Sequence, residues 1–297
     1  MSFAERAENM GLTNHEHGCF YYGDVHAEVL YRSLKTVNGA EMMDDYEVPY
    51  LAIFTKETGI MNQDWRYCGV ISDSYKFEGN EVINEAIRSS INEIGTPILR
   101  EDTILNYERT QMHHNIIIQN SRNIPEFGDI YPQITVTNSY SGGRAKCITF
   151  GLNMNEASGS NVSFGFRTKL GELRQVHHEG HATTMAAPIG GYVTAFTENI
   201  TDLFQQNYNN QLTDDDMLQT LELIEKVGKK RRGEISTMIE EATLHRGNRT
   251  SWQMFLALTK FSTAEQNLNA KRIIEDIAER VLIVPEQLLT TMARVNN

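Results

Sequence analysis

The sequence predicts an α+β protein: an antiparallel β-sheet with one crossing helix, followed by a mostly helical C-terminal region. Strand-like alternation fills residues 47–77 and 98–150, and one helical pattern stands between them. From residue 193 onward apolar side chains recur at helical spacing. Strands and helices are thus segregated along the chain, which argues against a regular βαβ series.

Taken in order, Val48, Tyr50, Ile53 and Phe54 and then Tyr67, Val70, Ile71 and Tyr75 mark two strands, joined by the turn-rich link KETGIMNQDWR. Residues 79–95 place Val82, Ile83, Ala86, Ile87, Ile91 and Ile94 at helical spacing, with Asn80 as the expected N-cap and Gly95 as the stop. Strand texture returns in ILNYERTQ, HHNIIIQN, PQITVTNSY and RAKCITFGL, and Gly142-Gly143 marks a hairpin turn between the last two. Short strands and loops are expected over 151–192. Helices are expected near 194–209, 213–245, 250–261 and 268–280, the longest opened by Thr213 and three aspartates that complement its N-terminus. The organisation predicted is a β-rich domain over 1–192 and a helical region over 193–297 packed on it.

With 40% apolar and 22% charged residues, the 297-residue chain has the means to bury a large core, which excludes wholesale disorder. Cys19, Cys68 and Cys147 are odd in number and widely spaced, so they read as reduced thiols rather than a disulfide framework. The opening residues MSFAERAENM have no apolar core of a secretory signal, and no run approaches the ~18 apolar residues of a membrane span. A cytoplasmic protein is expected. The net charge of −12 argues against a polyanionic partner at long range, but residues 1–100 hold 8 Lys/Arg against 16 Asp/Glu while the remainder hold 19 against 23. A basic face beyond the N-terminal third therefore stays open.

The run Lys229-Lys230-Arg231-Arg232, between Gly228 and Gly233, is the densest positive cluster, and Arg246 and Arg249 extend it. Four consecutive cations concentrate potential where phosphates dock; the plainer alternative is a solvated helix face balanced by Glu222, Glu225, Glu234, Glu240 and Glu241. Arg144 and Lys146, on the SYSGGRAK hairpin, form a candidate second grip. Tyr107, Phe150, Phe164 and Phe166 would stack on bases if they faced outward, and fill the core otherwise. His177, His178 and His181 put two imidazoles at i, i+4, but the spacing is not the H-E-x-x-H of zinc proteases and a glycine intervenes, so no metal is assigned. No nucleophile elbow, phosphate-cradling glycine loop or other cofactor pattern is present, and Cys147 sits in a strand as a buried thiol would.

The segments YEVPYLAIFTKETG and YCGVISDSYKFEGNEVI, then GDIYPQITVTNSYSGGRAKCITFG with its Thr137–Gly142 signature, resemble a phage- and plasmid-associated family of unknown function. The resemblance spans residues 40–280 and implies a mobile genetic element as the source, with no catalytic residues. At the level of fold alone, a sheet crossed by a helix and followed by helices is similar to the phage single-strand annealing proteins of the Red-beta and Erf type.

Binding is thus the better expectation than catalysis. The favoured function is non-enzymatic, phage-encoded binding of single-stranded nucleic acid in recombination or replication, with self-association possible. The alternatives are an acidic adaptor or inhibitor that meets a basic host protein through Asp44, Asp45 and Glu47, and a metal-dependent hydrolase centred on the three histidines.

Overall fold

The computed structural model describes residues 13–15, 19–23, 27–36, 46–59, 64–72, 75, 78–106, 109–124, 128–142, 145–155, 161–166, 172–175, 189–225, 228–244, 249–265 and 268–284. Five strands form the first antiparallel sheet in chain order: β1 (Thr13–His15), β2 (Cys19–Gly23), β3 (Ala27–Thr36), β4 (Tyr46–Glu57) and β5 (Arg66–Ser72). In the β4–β5 ladder Leu51 faces Ile71 and Phe54 faces Tyr67, with a register shift between Ile53 and Phe54. Period-two alternation then sends Leu51, Ile53 and Ile71 into the protein, while Tyr50, Tyr67 and Val70 stay exposed.

The second sheet is larger. Its main path is β11 (Asn161–Phe166), β10 (Lys146–Asn155), β9 (Gly128–Ser139), β7 (Gln111–Ile118) and β6 (Ile98–Leu105), with β12 (Glu172–Gln175) on β10 and β8 (Arg122–Ile124) on β9. All of its pairings are antiparallel. The even-numbered side chains Met112, Ile116, Ile134, Val136, Ile148, Phe150, Leu152, Val162 and Phe164 make one face apolar, and all are buried. Each such burial contributes about 1.5–3 kcal/mol. The opposite face is polar: Gln133 Nε2 donates to Thr135 Oγ1 at 3.1 Å, Thr135 Oγ1 to Asn115 Oδ1 at 2.8 Å, and Asn153 Nδ2 to Ser163 Oγ at 2.9 Å.

Helices cover the apolar face. Ile83, Ile87 and Ile91 of α1 (Asn80–Glu93) and Ile189, Tyr192, Phe196 and Ile200 of α2 (Ile189–Asn209) join the strand side chains in one hydrophobic cluster. The cluster continues into α3 (Asp214–Glu225), α4 (Lys229–Leu244), α5 (Ser251–Ala264) and α6 (Leu268–Val281). Phe255 of α5 meets Phe164 edge-on at 4.8 Å between ring centres, and Trp252 meets Phe204 at 4.9 Å. One core thus runs across the sequence boundary at 192/193.

The α+β class is as the sequence predicts, and three details differ. The strands divide between two sheets instead of one, and the first sheet opens with β1–β3, ahead of the strand pattern that begins at residue 47. Asn80 is the first residue of α1 rather than its cap; Gly79 holds the cap position, and the Asn80 side chain turns inward to accept from Asn138 Nδ2 at 2.9 Å. The helix expected over 213–245 is two helices, because Gly228 adopts φ +133°, a conformation that side-chain-bearing residues rarely take. Gly95 ends α1 as expected, with φ +69°.

Two glycines give opposite expectations. A Cβ at Gly233, inside α4, meets nothing within 4 Å, so Gly233→Ala should raise stability by about 0.5–1 kcal/mol. A Cβ at Gly151 falls 1.9 Å from the Phe164 carbonyl oxygen, so Gly151→Ala should lower stability by about 1–3 kcal/mol. Urea midpoints moving in the same direction for both would contradict this packing.

Candidate nucleic-acid interface

Lys229, Lys230, Arg231 and Arg232 are gathered on the first turn of α4, which starts where Gly228 accepts from Arg232 N at 3.1 Å. A helix N-terminus already carries partial positive charge, so cations there raise the local potential instead of complementing the dipole. Two of the four are drawn to carboxylates of neighbouring helices. Arg232 Nη1 lies 2.7 Å from Glu225 at the end of α3, and Arg231 Nε donates to Glu265, just past α5, at 2.5 Å. The hydrogen bond to Glu265 is the main reason the Arg231 guanidinium holds its proton more tightly than usual. Lys230, its side chain 90% exposed, reaches Glu234 only at 3.7 Å, a geometry of little energetic weight in water. Lys229 is exposed and makes no ion pair among the described residues.

Beside this turn lies an open cleft of about 260 Å³ lined by Gly228, Lys230, Arg231, Glu234, Phe261 and Glu265. The cleft joins an aromatic wall to the cationic turn. Both the charged-cluster and the balanced-face expectations are thus visible in one place: Glu225 and Glu234 do balance part of the run, and Lys229 and Lys230 project from it.

The other cations named from sequence lie elsewhere. Lys146 is only 3% exposed and pairs with Glu78 at the foot of α1. Around that pair, Asn138 Nδ2 donates to the Glu78 carbonyl at 3.1 Å and Asn80 N donates to Tyr140 Oη at 3.1 Å. This polar knot fixes where α1 begins. Arg249 pairs with Asp214, tying the approach to α5 to the first turn of α3. Arg144, Arg246, Tyr107, His177, His178 and His181 lie outside the described residues. Among the described residues no three His, Cys, Asp or Glu side chains gather as a metal would require. Phe150, Phe164 and Phe166 are core residues, and Cys147 is buried in β10.

A second charged cluster sits where α1 crosses β6 and β7. Thr103 Oγ1 is 2.8 Å from His114 Nδ1, and His114 Nε2 is 3.5 Å from Glu101 Oε2. The outline resembles a hydroxyl–imidazole–carboxylate relay, but Arg88 grips Glu101 through Nε at 3.0 Å and Nη2 at 2.8 Å, and Arg88 also reaches Glu81 at 3.1 Å. The carboxylate is committed to the arginine, so the cluster acts as a clamp between helix and sheet.

No family model, curated protein or solved structure matches this chain. The site therefore rests on its own geometry. Glu265 and Phe261 escape the sequence pattern because they reach the cationic turn from a different helix, Glu265 lying 34 residues beyond Arg231.

The clamp has a pH signature. Arg88 beside it, chiefly by hydrogen bonding, holds the Glu101 carboxyl below its ordinary range. A carboxyl lowered in the folded state stabilises the fold fully above the unfolded value and loses that contribution as pH falls through the lowered one. Glu101→Gln is therefore expected to be less stable than wild type at neutral pH and to converge with it as pH falls below the ordinary carboxyl range and through the lowered value. Thermal melts across that range measure it, and parallel curves would contradict the clamp.

Proposed function

We propose that the chain binds single-stranded nucleic acid without turning it over, through phosphate contacts at the first turn of α4. One observation carries this: Lys229 and Lys230 project into solvent from a helix start where the backbone is already electropositive, beside a cleft with an aromatic wall. A phosphate placed there relieves the mutual repulsion of the cations. The carboxylates Glu225 and Glu265 support the reading in another way, by holding Arg232 and Arg231 in fixed positions beside the lysines. The source in a mobile genetic element, and a role in its recombination or replication, belong to the same proposal and are supported by the resemblance in residues 46–82 and 128–151.

The footprint is narrow. With two exposed lysines as the principal contacts, the logarithm of affinity for single strands should fall against the logarithm of salt with a slope of about −1.4. A groove using all eight cations named from sequence would give about −5.6. Fluorescence anisotropy with a labelled twenty-residue oligothymidylate, from about 20 to 200 mM NaCl, measures the slope. Lys229→Glu with Lys230→Glu should abolish binding, and the strand should be recovered intact. Absence of binding by wild type at the lowest salt would remove the proposal.

A further inference from the structure

The cleft beside the cationic turn has an inside that the phosphate contacts leave unused. Two side-chain pairs, each one helical turn apart, line it from different helices: Lys230 and Glu234 on α4, and Phe261 and Glu265 where α5 ends. Arg231 bridges the two helices, its Nε donating to Glu265 at 2.5 Å. Phe261 is half-buried, packed against the hydrophobic cluster on one side and lining the cleft on the other.

The lining holds two cations and two carboxylates, so its formal charges cancel. The four are not equally available to a ligand. Arg231 and Glu265 are bound to each other, with side chains 32% and 11% exposed. The Lys230 side chain is 90% exposed and stands in solvent, where the proposed phosphate contact lies. Glu234 remains: its side chain is 48% exposed, and its one ion pair among the described residues is the 3.7 Å approach of Lys230. An ionised carboxylate accepts hydrogen bonds and donates none. A phosphate inside the cleft would meet repulsion from Glu234, whereas a flat, uncharged ring with an N–H donor at its edge suits both the aromatic wall and the carboxylate. At about 260 Å³ the cleft is smaller than the roughly 300–1,000 Å³ of sites that hold whole small-molecule ligands, which suits one ring system rather than a complete nucleotide cofactor.

We infer that this cleft takes one unpaired nucleobase of the bound strand, with the base against Phe261 and its exocyclic amino group donating to Glu234. This rests on the reading of the chain as a single-strand binder at the turn of α4, and adds a base preference to it. Cytosine and adenine carry the amino group; thymine has a carbonyl oxygen in its place, which would meet the carboxylate acceptor to acceptor. The base must be unpaired, because pairing and stacking in a duplex occupy its edge and both its faces. The adjoining phosphates stay outside with Lys229 and Lys230.

The test uses the intact chain and two labelled probes of equal length and charge, a twelve-residue oligodeoxycytidylate and a twelve-residue oligothymidylate, titrated at the same low salt. Both probes should bind wild type, the oligocytidylate about 5-fold or more the tighter. Glu234→Ala, on the exposed side of α4, should bring the ratio of the two affinities close to one without weakening the oligothymidylate, since it also removes a carboxylate beside Lys230. Phe261→Leu, which keeps an apolar side chain against the core, should weaken the oligocytidylate about 5-fold or more with circular dichroism unchanged. Equal binding of the two probes by wild type, or a preference for thymine, would overturn the base cleft and leave the single-strand reading intact. A cytosine preference that survives in Glu234→Ala would overturn it as well. Binding of neither probe would overturn both readings.

Discussion

Covering one face of the seven-stranded sheet is the constraint on which the structure depends. Its even-numbered side chains are too apolar to meet water, and α1 and α2 are amphipathic in the matching sense, so the sheet and the two helices form only together. Ion pairs then fix the orientation. Lys146 with Glu78 anchors the start of α1 over β10, and Arg88 with Glu101 anchors its middle over β6. Breaking the first by removing the lysine would leave a carboxylate with little access to water, a change that costs about 3–5 kcal/mol in buried pairs. The remaining helices complete the core around Trp252 and Phe255.

This arrangement decides which cations face solvent. Lys146 lies in a strand at an even-numbered position, on the side that α1 covers, so its charge is satisfied internally. The run at 229–232 instead falls at a helix start forced by Gly228, where α3 turns into α4. Of its four members, the two arginines reach back to glutamates, and the lysines, with a compact charge and a flexible stem, remain outside. The protein is acidic as a whole, so an anionic partner gains little from long-range attraction and depends on short-range contact.

Much of the fold was legible from the residues. The isoleucine spacing of α1, its Gly95 stop, the Gly142 hairpin and the Thr213–Asp216 helix start all express local rules, and Thr213 and Asp216 do exchange hydrogen bonds, with Asp216 N donating to Thr213 Oγ1 at 3.2 Å. Local rules do not reveal Asn80 turning to Asn138, which is 58 residues away, or Arg231 choosing Glu265 over nearer glutamates. Such choices are made by the tertiary packing. The outward aromatics were visible as strand residues, yet Tyr50 and Ile53 differ in side only by position in the alternation, and register fixes that position.

Amide hydrogen exchange with and without saturating oligothymidylate tests the central claim most directly, because it locates the contact without altering a residue. Slowed exchange at the start of α4, with little change in α1 and α2, is the pattern the account predicts. Bound strand that leaves residues 229–232 at their free rates would contradict it.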